Sequence, residues 1–230
     1  MIRWTLYVAI LFAPAPAVAA ERSYTVTGYD RIRVEGPYAV TLTTGRAPSA
    51  RATGGPQALD AVLIEVQGRT LIVRQNRTSG MGASSANLGP VAVALSTHEL
   101  SAAWLTGAGT LRIDRLKGLS ASLEVTGSGS LQVGNIAVDK LSIGLTGAAS
   151  ATLDGKTLNL RAIARGAANL DASALSAKDA TLAGEGPAIV SATVTNSADV
   201  SAAGAAQIKL DGRPACKQRV TGSAVVSGCR

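Results

Sequence analysis

Carboxylates are the side chains of this chain that could cleave a polysaccharide. Asp114, Asp154 and Asp211 each lie seven residues after a glycine of a repeated motif, whereas Asp179 and Asp199 lie on consecutive repeats. Glycosidases hold two carboxyl groups about 5–5.5 Å or about 6.5–9.5 Å apart. The first three are expected two or more repeats apart. Asp179 and Asp199 occupy equivalent positions on adjacent repeats when positions are counted from the preceding motif glycine, but not when they are counted from the following one. We therefore expect no catalytic pair, and a polysaccharide-active lyase or hydrolase remains the alternative.

Other kinds of active site have even less support. His98 is the only histidine and follows Ser96-Thr97 in a predicted turn, so any triad would depend on it. No Gly-x-Ser-x-Gly elbow occurs. One histidine and two cysteines are too few for a zinc finger, an iron–sulfur cluster or a multi-histidine metal site. The sequence therefore predicts no catalytic, cofactor-binding or metal-binding residues.

A motif of about twenty residues organises the second half of the chain. Each copy begins with a glycine followed by two small residues, and the glycine spacings are 20, 20, 19, 20, 18 and 18. The motif glycines are Gly107, Gly127, Gly147, Gly166, Gly186, Gly204 and Gly222. A fixed period of this size is typical of stacked repeat folds.

Within a repeat, apolar residues alternate with polar ones. Leu141, Ile143 and Leu145 share one face of a strand, and Leu131 and Val133 form a second, shorter run. One repeat cannot bury its own apolar face, but stacked repeats can. We therefore predict an all-β, single-domain parallel β-solenoid with two strands per coil of about 18–20 residues. A β-sandwich of antiparallel hairpins is the competing fold.

The same phase predicts columns of outward residues. The residue before each motif glycine is Thr106, Thr126, Thr146, Arg165, Glu185, Ala203 and Thr221 in turn. Arg165 and Glu185 are thereby expected side by side on neighbouring coils.

Residues 24–100 are less regular but also predict strands. The expected strands are Arg31–Glu35, Tyr38–Thr43, Ala61–Gln67 and Thr70–Gln75. Gly68-Arg69 predicts a two-residue hairpin between the last two, and Pro56–Leu59 a single helical turn. Thr78–Gly89, rich in Gly, Ser and Ala, predicts a loop. We expect this part to form the first coils and the cap of the same stack.

The N-terminus has the layout of a secretory signal peptide. Met1–Arg3 is positively charged, Trp4–Phe12 is apolar, and small residues with prolines follow. We expect cleavage after Ala20, which leaves Glu21 as the new N-terminus; cleavage after Ala19 remains open. The apolar run is far shorter than the ~20 residues that span a bilayer. The chain is thus expected to be exported, to the periplasm or the cell surface, without a transmembrane segment in its mature form.

In an exported protein the two cysteines are expected to form a disulfide. Cys216 and Cys229 flank the last motif glycine, and an oxidising compartment favours a disulfide between them. Because the last coil has no neighbour to cover it, we expect this bridge to fasten it.

Composition and charge limit the partners. Apolar residues make up 47% and charged residues 16% of the 230, which excludes a disordered polyelectrolyte. The formal net charge is +7, but the chain lacks the basic helix or the clustered aromatic residues of nucleic-acid-binding proteins. Acidic glycans or other envelope components are the expected partners, and the small residues of the outer face leave a homo-oligomer open.

One segment resembles a known family. Residues 29–42 resemble the opening of the bacterial "putative auto-transporter adhesin, head GIN" domain: an aromatic residue, a short strand, Gly-Pro-aromatic and another strand. Residues 56–62 and 68–73 fit the stretches that follow, and Thr106–Gly109 and Thr126–Gly129 fit its Thr-Gly-small-Gly units. Later units depart from the pattern with Ala149, Ala168, Ala188 and Ala206. The resemblance covers roughly residues 29–212. It implies a right-handed parallel β-helix in the bacterial cell envelope, without catalytic residues to carry over.

These observations predict an order of parts. Residues 1–20 are the signal peptide, 21–28 an N-terminal lead-in, 29–212 the β-helix domain, and 213–230 a C-terminal capping coil. The expected function is non-enzymatic: adhesion, glycan binding or scaffolding in the envelope. The absence of aromatic residues after Trp104 favours this function over an enzyme, because sugar stacking usually uses them.

Overall fold

The computed structural model describes residues 20–76 and 89–230. The predicted signal peptide, apart from Ala20, and the predicted loop at 78–88 lie outside these residues. The described part forms one sheet of 17 strands and one short helix. The first elements are β1 (Ala20–Tyr24), β2 (Arg31–Glu35), β3 (Ala39–Thr44), β4 (Ser49–Gly54), α1 (Pro56–Asp60), β5 (Val62–Gln67), β6 (Thr70–Gln75) and β7 (Ala92–Thr97).

The repeats contribute the longer strands. They are β8 (Ala102–Gly107), β9 (Thr110–Ile113), β10 (Leu116–Gly127), β11 (Ser130–Gly147), β12 (Ser150–Arg165), β13 (Asn169–Glu185), β14 (Ile189–Gly204), β15 (Gln207–Asp211), β16 (Ala215–Gly222) and β17 (Val225–Ser227). Each pairs in parallel with the equivalent strand of the next coil, so that Gly127 lies opposite both Gly107 and Gly147. The β-solenoid is confirmed, and the β-sandwich is wrong for the repeats.

Each coil has one more paired segment than the sequence predicted. In β11 the pairing covers Ser130–Val133, then residues 136–138, then residues 140–146, with a register shift between Val133 and Ile136. The middle segment was missed because it has only two inward residues, Ile136 and Val138, both buried. A run that short has no alternation to detect.

The core lies inside the coils and becomes narrower toward the C-terminus. Leu141, Ile143 and Leu145 are each 1% exposed. Along the stack, the column that begins with Leu141 continues through Leu160, Ala180 and Ala198. Smaller side chains therefore fill this column in the later coils.

Antiparallel strands close the N-terminal end of the stack. The predicted hairpin is present, with Gln67 opposite Thr70, and β6 continues the parallel stack onto β2. On the neighbouring segment, β4 pairs antiparallel with β7 and β1 with β4. The residues taken as a lead-in therefore contain an edge strand, β1. The helical turn predicted at Pro56–Leu59 is present as α1.

The C-terminal end is a single exposed coil. Strand β16 pairs with β14 and β17 with β15, and both leave their other edge free of strands among the described residues. A disulfide joins Cys216 and Cys229, with Cα atoms 5.7 Å apart. The bridge ties β16 to the chain just beyond β17, so the last coil is closed on itself.

Candidate functional site

A polar groove of about 540 Å³ crosses the outer face of the coils. It lies on the segment of each coil that precedes the motif glycine. Alternate residues of a strand face outward, so two columns line the groove. The first column is Ser120, Lys140, Asn159, Asp179 and Ser197; the second is Ser122, Ser142, Arg161, Thr181 and Asp199.

The groove is extended along the axis of the solenoid. Five consecutive coils contribute to each column, which at ~4.8 Å per coil spans about 19 Å. Hydroxyl, amide and charged groups form both columns, whereas the apolar residues between them, such as Leu141, point into the core. The groove therefore offers repeated hydrogen-bonding groups along the solenoid axis.

Two cations and two anions lie in the groove. Lys140 and Arg161 are exposed, Asp199 is exposed, and Asp179 is partly buried. Across residues 20–76 and 89–230, none of the four forms an ion pair. Their charges are thus available to a ligand.

Asp179 is held by neutral donors from the next coil. The Ser197 hydroxyl donates to its Oδ1 over 2.5 Å, and the Asn196 amide donates to the same atom over 2.6 Å. These hydrogen bonds, from Ser197 first and then Asn196, lower the pKa of Asp179 because they stabilise the charged form. The carboxylate is therefore fixed in direction and stays ionised.

The structure answers whether Asp179 and Asp199 are neighbours. They lie on adjacent coils, but Asp179 is in register with Ser197 and Asp199 with Thr181, an offset of two residues. One coil and two residues correspond to about 8 Å between Cα atoms. A general acid needs a raised pKa, whereas the pKa of Asp179 is lowered, so Asp179 lacks the property of a proton donor.

The other three candidate carboxylates, those of Asp114, Asp154 and Asp211, do not lie on adjacent coils. Gly134 lies between Asp114 and Asp154 in the stack, since Val133 pairs with both Ile113 and Leu153. Asp114 accepts hydrogen bonds from the backbone N–H and hydroxyl of Thr44, at 2.9 and 3.2 Å, so it has a structural partner. Asp211 lies opposite Thr193, which separates it further from Asp154. These three do not form a site.

A second feature of this face is the Trp104 ring, which lies next to the groove. The Arg33 guanidinium lies over the Trp104 ring, 5.7 Å from its centroid. Glu35, Thr106 and Glu124 complete a hollow of about 130 Å³. Trp104 belongs to the outward column next to that of Ser122, because it is in register with Glu124. Sequence reasoning named this residue but did not place it beside a groove.

The motif glycines form one column at a corner of the stack. All seven have positive φ, and a Cβ on Gly147 would lie 2.7 Å from the Gly127 carbonyl oxygen. Gly36, with φ of 115°, begins the same column, because a Cβ on Gly107 would lie 3.4 Å from its nitrogen. Gly36 was missed since Pro37 and Tyr38 replace the small residues of the motif. These glycines serve the fold and line no groove.

The column before the glycines lies as predicted. Thr126 is in register with Thr106 and Thr146, and Arg165 with Glu185. The Arg165 Nε donates to Glu185 Oε2 over 3.1 Å, with both side chains about half exposed. Such a surface pair adds about 0.2–1 kcal/mol. His98 is exposed in its turn, as expected.

Comparison with known proteins identifies the family. The model of the family "Putative auto-transporter adhesin, head GIN domain" matches residues 28–214. The chain belongs to this family. No curated protein matches the sequence.

Solved structures share the fold of this head GIN domain. A putative adhesin from Bacteroides fragilis superposes with a TM-score of 0.78 at 18% identity, covering 91% of this chain and 95% of that one. A putative lipid binding protein from Parabacteroides distasonis gives 0.71 at 19% identity, with 92% and 96% covered. A putative adhesin from Parabacteroides merdae gives 0.67 at 17% identity, again with 92% and 96% covered. At these identities the likeness is one of fold.

No helix among residues 20–76 and 89–230 is long and apolar enough to span a bilayer. In the same ranges, no three His, Cys, Asp or Glu side chains converge to hold a metal ion.

Proposed function

We propose that this chain is an exported, adhesin-like envelope protein whose polar groove binds an extended acidic glycan without cleaving it. The groove is the observation that supports this function. Its two columns repeat polar groups over about 19 Å, which suits a linear polymer lying along the axis. The Ser, Asn, Thr and charged residues of its lining can form hydrogen bonds with the hydroxyl groups of sugars.

Charge supports an acidic ligand. Lys140 and Arg161 lie on consecutive coils and carry no ion pair within the described part of the chain. An arginine guanidinium presents a planar fork of donors that matches a carboxylate, and lysine adds a point charge. The mature chain is basic overall, since the 22 Lys and Arg of the full sequence, of which Arg3 lies in the predicted signal peptide, outnumber the 15 Asp and Glu. A positive field raises the rate at which acidic polymers associate.

The disulfide and the N-terminus support export. Cys216 and Cys229 are bridged, and such bonds persist in oxidising compartments. Cleavage after Ala20 would remove the first residue of β1 and leave four residues paired with β4. We therefore infer a mature chain that starts at Glu21 in the periplasm or at the cell surface.

Binding can be tested by blocking the groove. The mature chain is titrated calorimetrically with hyaluronan oligosaccharides and with oligogalacturonate, and screened on a glycan array. Ser142→Trp places a ring among the lining residues and should weaken binding at least tenfold. Gln132→Trp, on another outward segment of the same coil, is the matched control and should bind like the unmodified chain.

Two results would contradict the proposal. If no acidic glycan binds to the folded mature chain, the function is wrong. If Gln132→Trp weakens binding as much as Ser142→Trp, the ligand lies outside the groove. Far-UV circular dichroism and thermal unfolding establish that both variants are folded. Release of shortened or unsaturated oligosaccharides during the titration would instead support the polysaccharide-active enzyme.

A further inference from the structure

The charges of the groove are sorted along the solenoid axis. Lys140 and Arg161 are on β11 and β12, and Asp179 and Asp199 are on the next two coils, β13 and β14. The middle of the cation pair and the middle of the anion pair are separated by two coils, about 10 Å. The groove is therefore positive toward the N-terminal end of the stack and negative toward the C-terminal end.

The cations and anions of the groove form no ion pairs with one another, although another pair of charged residues on the same coils does. Arg165 and Glu185 lie on β12 and β13 and form an ion pair. Arg161 and Asp179 lie on the same two coils, four and six residues earlier, and form none. The reason is register: Arg161 faces Thr181, whereas Asp179 faces Asn159.

The Asp179 carboxylate is also turned away from Arg161. Both of its hydrogen bonds come from the following coil, from Asn196 and Ser197, and both donors are neutral. Lys178 precedes Asp179 in the chain and lines a different hollow, but its charge also contributes, less than the hydrogen bonds do, to the lowered pKa of Asp179. Lys217 is in register with Asp199 but is outside the groove and forms no ion pair in the described part of the chain. The anionic half therefore keeps its charge in the groove.

We propose that the ligand of this groove is a zwitterionic glycan, with its carboxylates at Lys140 and Arg161 and its ammonium groups at Asp179 and Asp199. This inference rests on the proposed function, because it names the class of glycan. A purely acidic chain long enough to fill the groove would place its own negative groups against Asp179. An amino sugar with a free amine replaces that repulsion with a charge-assisted hydrogen bond.

Three probes of similar length separate the possibilities. Hyaluronan oligosaccharide alternates a carboxylate with an N-acetylated amine, so it is anionic. The same oligosaccharide after de-N-acetylation carries a free ammonium group in every disaccharide and is zwitterionic. Cello-oligosaccharide is neutral. The mature chain should bind the zwitterionic probe about three- to tenfold more tightly than the anionic one, the range expected for added exposed ion pairs.

Variants of the groove residues test which end of the groove contacts the carboxylates of the ligand and which end contacts its ammonium groups. Asp179→Asn should remove the preference for the zwitterionic over the anionic probe, whereas Arg161→Gln should weaken both and preserve the preference. Asp154→Asn is the matched control, an exposed carboxylate outside the groove, and should leave the ratio unchanged.

The outcomes separate the two proposals. Equal binding of the acetylated and deacetylated probes, or a preference for the acetylated one, overturns the zwitterionic ligand and leaves the acidic-glycan function standing. A preference that survives Asp179→Asn, or that disappears in Asp154→Asn, overturns the assignment to this groove. Failure of all three probes to bind overturns the proposed function and the zwitterionic ligand together.

Discussion

Two glycines in one strand should respond oppositely to the same substitution. Gly147 and Gly144 are three residues apart in β11. Gly147 has φ of 95°, and a Cβ there would lie 2.7 Å from the Gly127 carbonyl oxygen. At Gly144 the nearest atom to an added Cβ is the Glu124 Cγ, 3.9 Å away, which is ordinary contact. We therefore expect Gly147→Ala to destabilise the fold and Gly144→Ala to stabilise it slightly.

The magnitudes follow from two separate causes. Placing a Cβ in the left-handed region costs about 1–2 kcal/mol, and relieving a contact with a fixed backbone oxygen adds about 1–3 kcal/mol. The expected loss for Gly147→Ala is thus about 2–5 kcal/mol. Gly144→Ala needs no unusual φ and reduces the entropy of the unfolded chain, which stabilises by about 0.4–1 kcal/mol.

The measurement is equilibrium unfolding of the mature chain in urea, followed by far-UV circular dichroism. For a chain of this size, 1 kcal/mol shifts the thermal midpoint by about 2–4 °C, so Gly147→Ala should melt roughly 4–20 °C lower. Unchanged urea dependence of the free energy would show that both variants unfold as one unit. A loss below about 0.5 kcal/mol for Gly147→Ala, or an equal loss for both, would refute the close approach at this corner.

The remaining predictions concern the core, the last coil and pH. Ile143→Asp buries an unpaired carboxylate and should unfold the middle of the stack, whereas Ser142→Asp on the outer face should be nearly silent; protease protection distinguishes them. The Cys216–Cys229 bridge should make the mature mass two hydrogens lower than the reduced mass, and its reduction, worth about 3 kcal/mol in the loop-entropy model, should expose only the last coil to protease. Because the folded-state pKa of Asp179 lies below its ordinary 3.8, its stabilising effect is complete above that value and is lost as pH falls through the lower pKa. The unmodified chain should therefore lose stability more steeply below about pH 4 than Asp179→Asn, and parallel acid curves would contradict this.

The sequence predicted the parts of the fold that repeat. Alternation at Leu141, Ile143 and Leu145 identified the longest segment of each coil, and the motif glycines identified the period. Among the N-terminal strands, β2, β3, β5 and β6 were predicted, because β-branched runs and the Gly68-Arg69 turn are local signals, whereas β1, β4 and β7 were not. The strand β1 was missed because its sequence, AERSY, has no apolar alternation, and only pairing with β4 makes it a strand.

The groove was missed because positions in each repeat were counted from the preceding motif glycine rather than from the following one. Ser120, Lys140, Asn159, Asp179 and Ser197 all lie seven residues before a motif glycine. Counted from the preceding glycine they do not all align, since Ser120, Lys140 and Asp179 lie 13 residues after it, Asn159 lies 12 and Ser197 lies 11. Register shifts fall between that glycine and the groove, for example between Val133 and Ile136. The following glycine is the reliable origin, since no shift separates it from the groove. With that origin, the two-residue offset between Asp179 and Asp199 follows from the sequence alone.

In the same strands, some columns of residues stabilise the fold and others line the groove. The inward column fills the core and the glycine column sets the approach of the coils, so both tolerate little change. The outward columns face away from the core, and Lys140 and Arg161 are exposed. A selection for folding alone would leave such positions free to exchange among polar residues of either sign. Two cations followed by two anions, in a groove where Asp179 accepts hydrogen bonds from neutral donors, is the arrangement on which the proposed zwitterionic ligand rests.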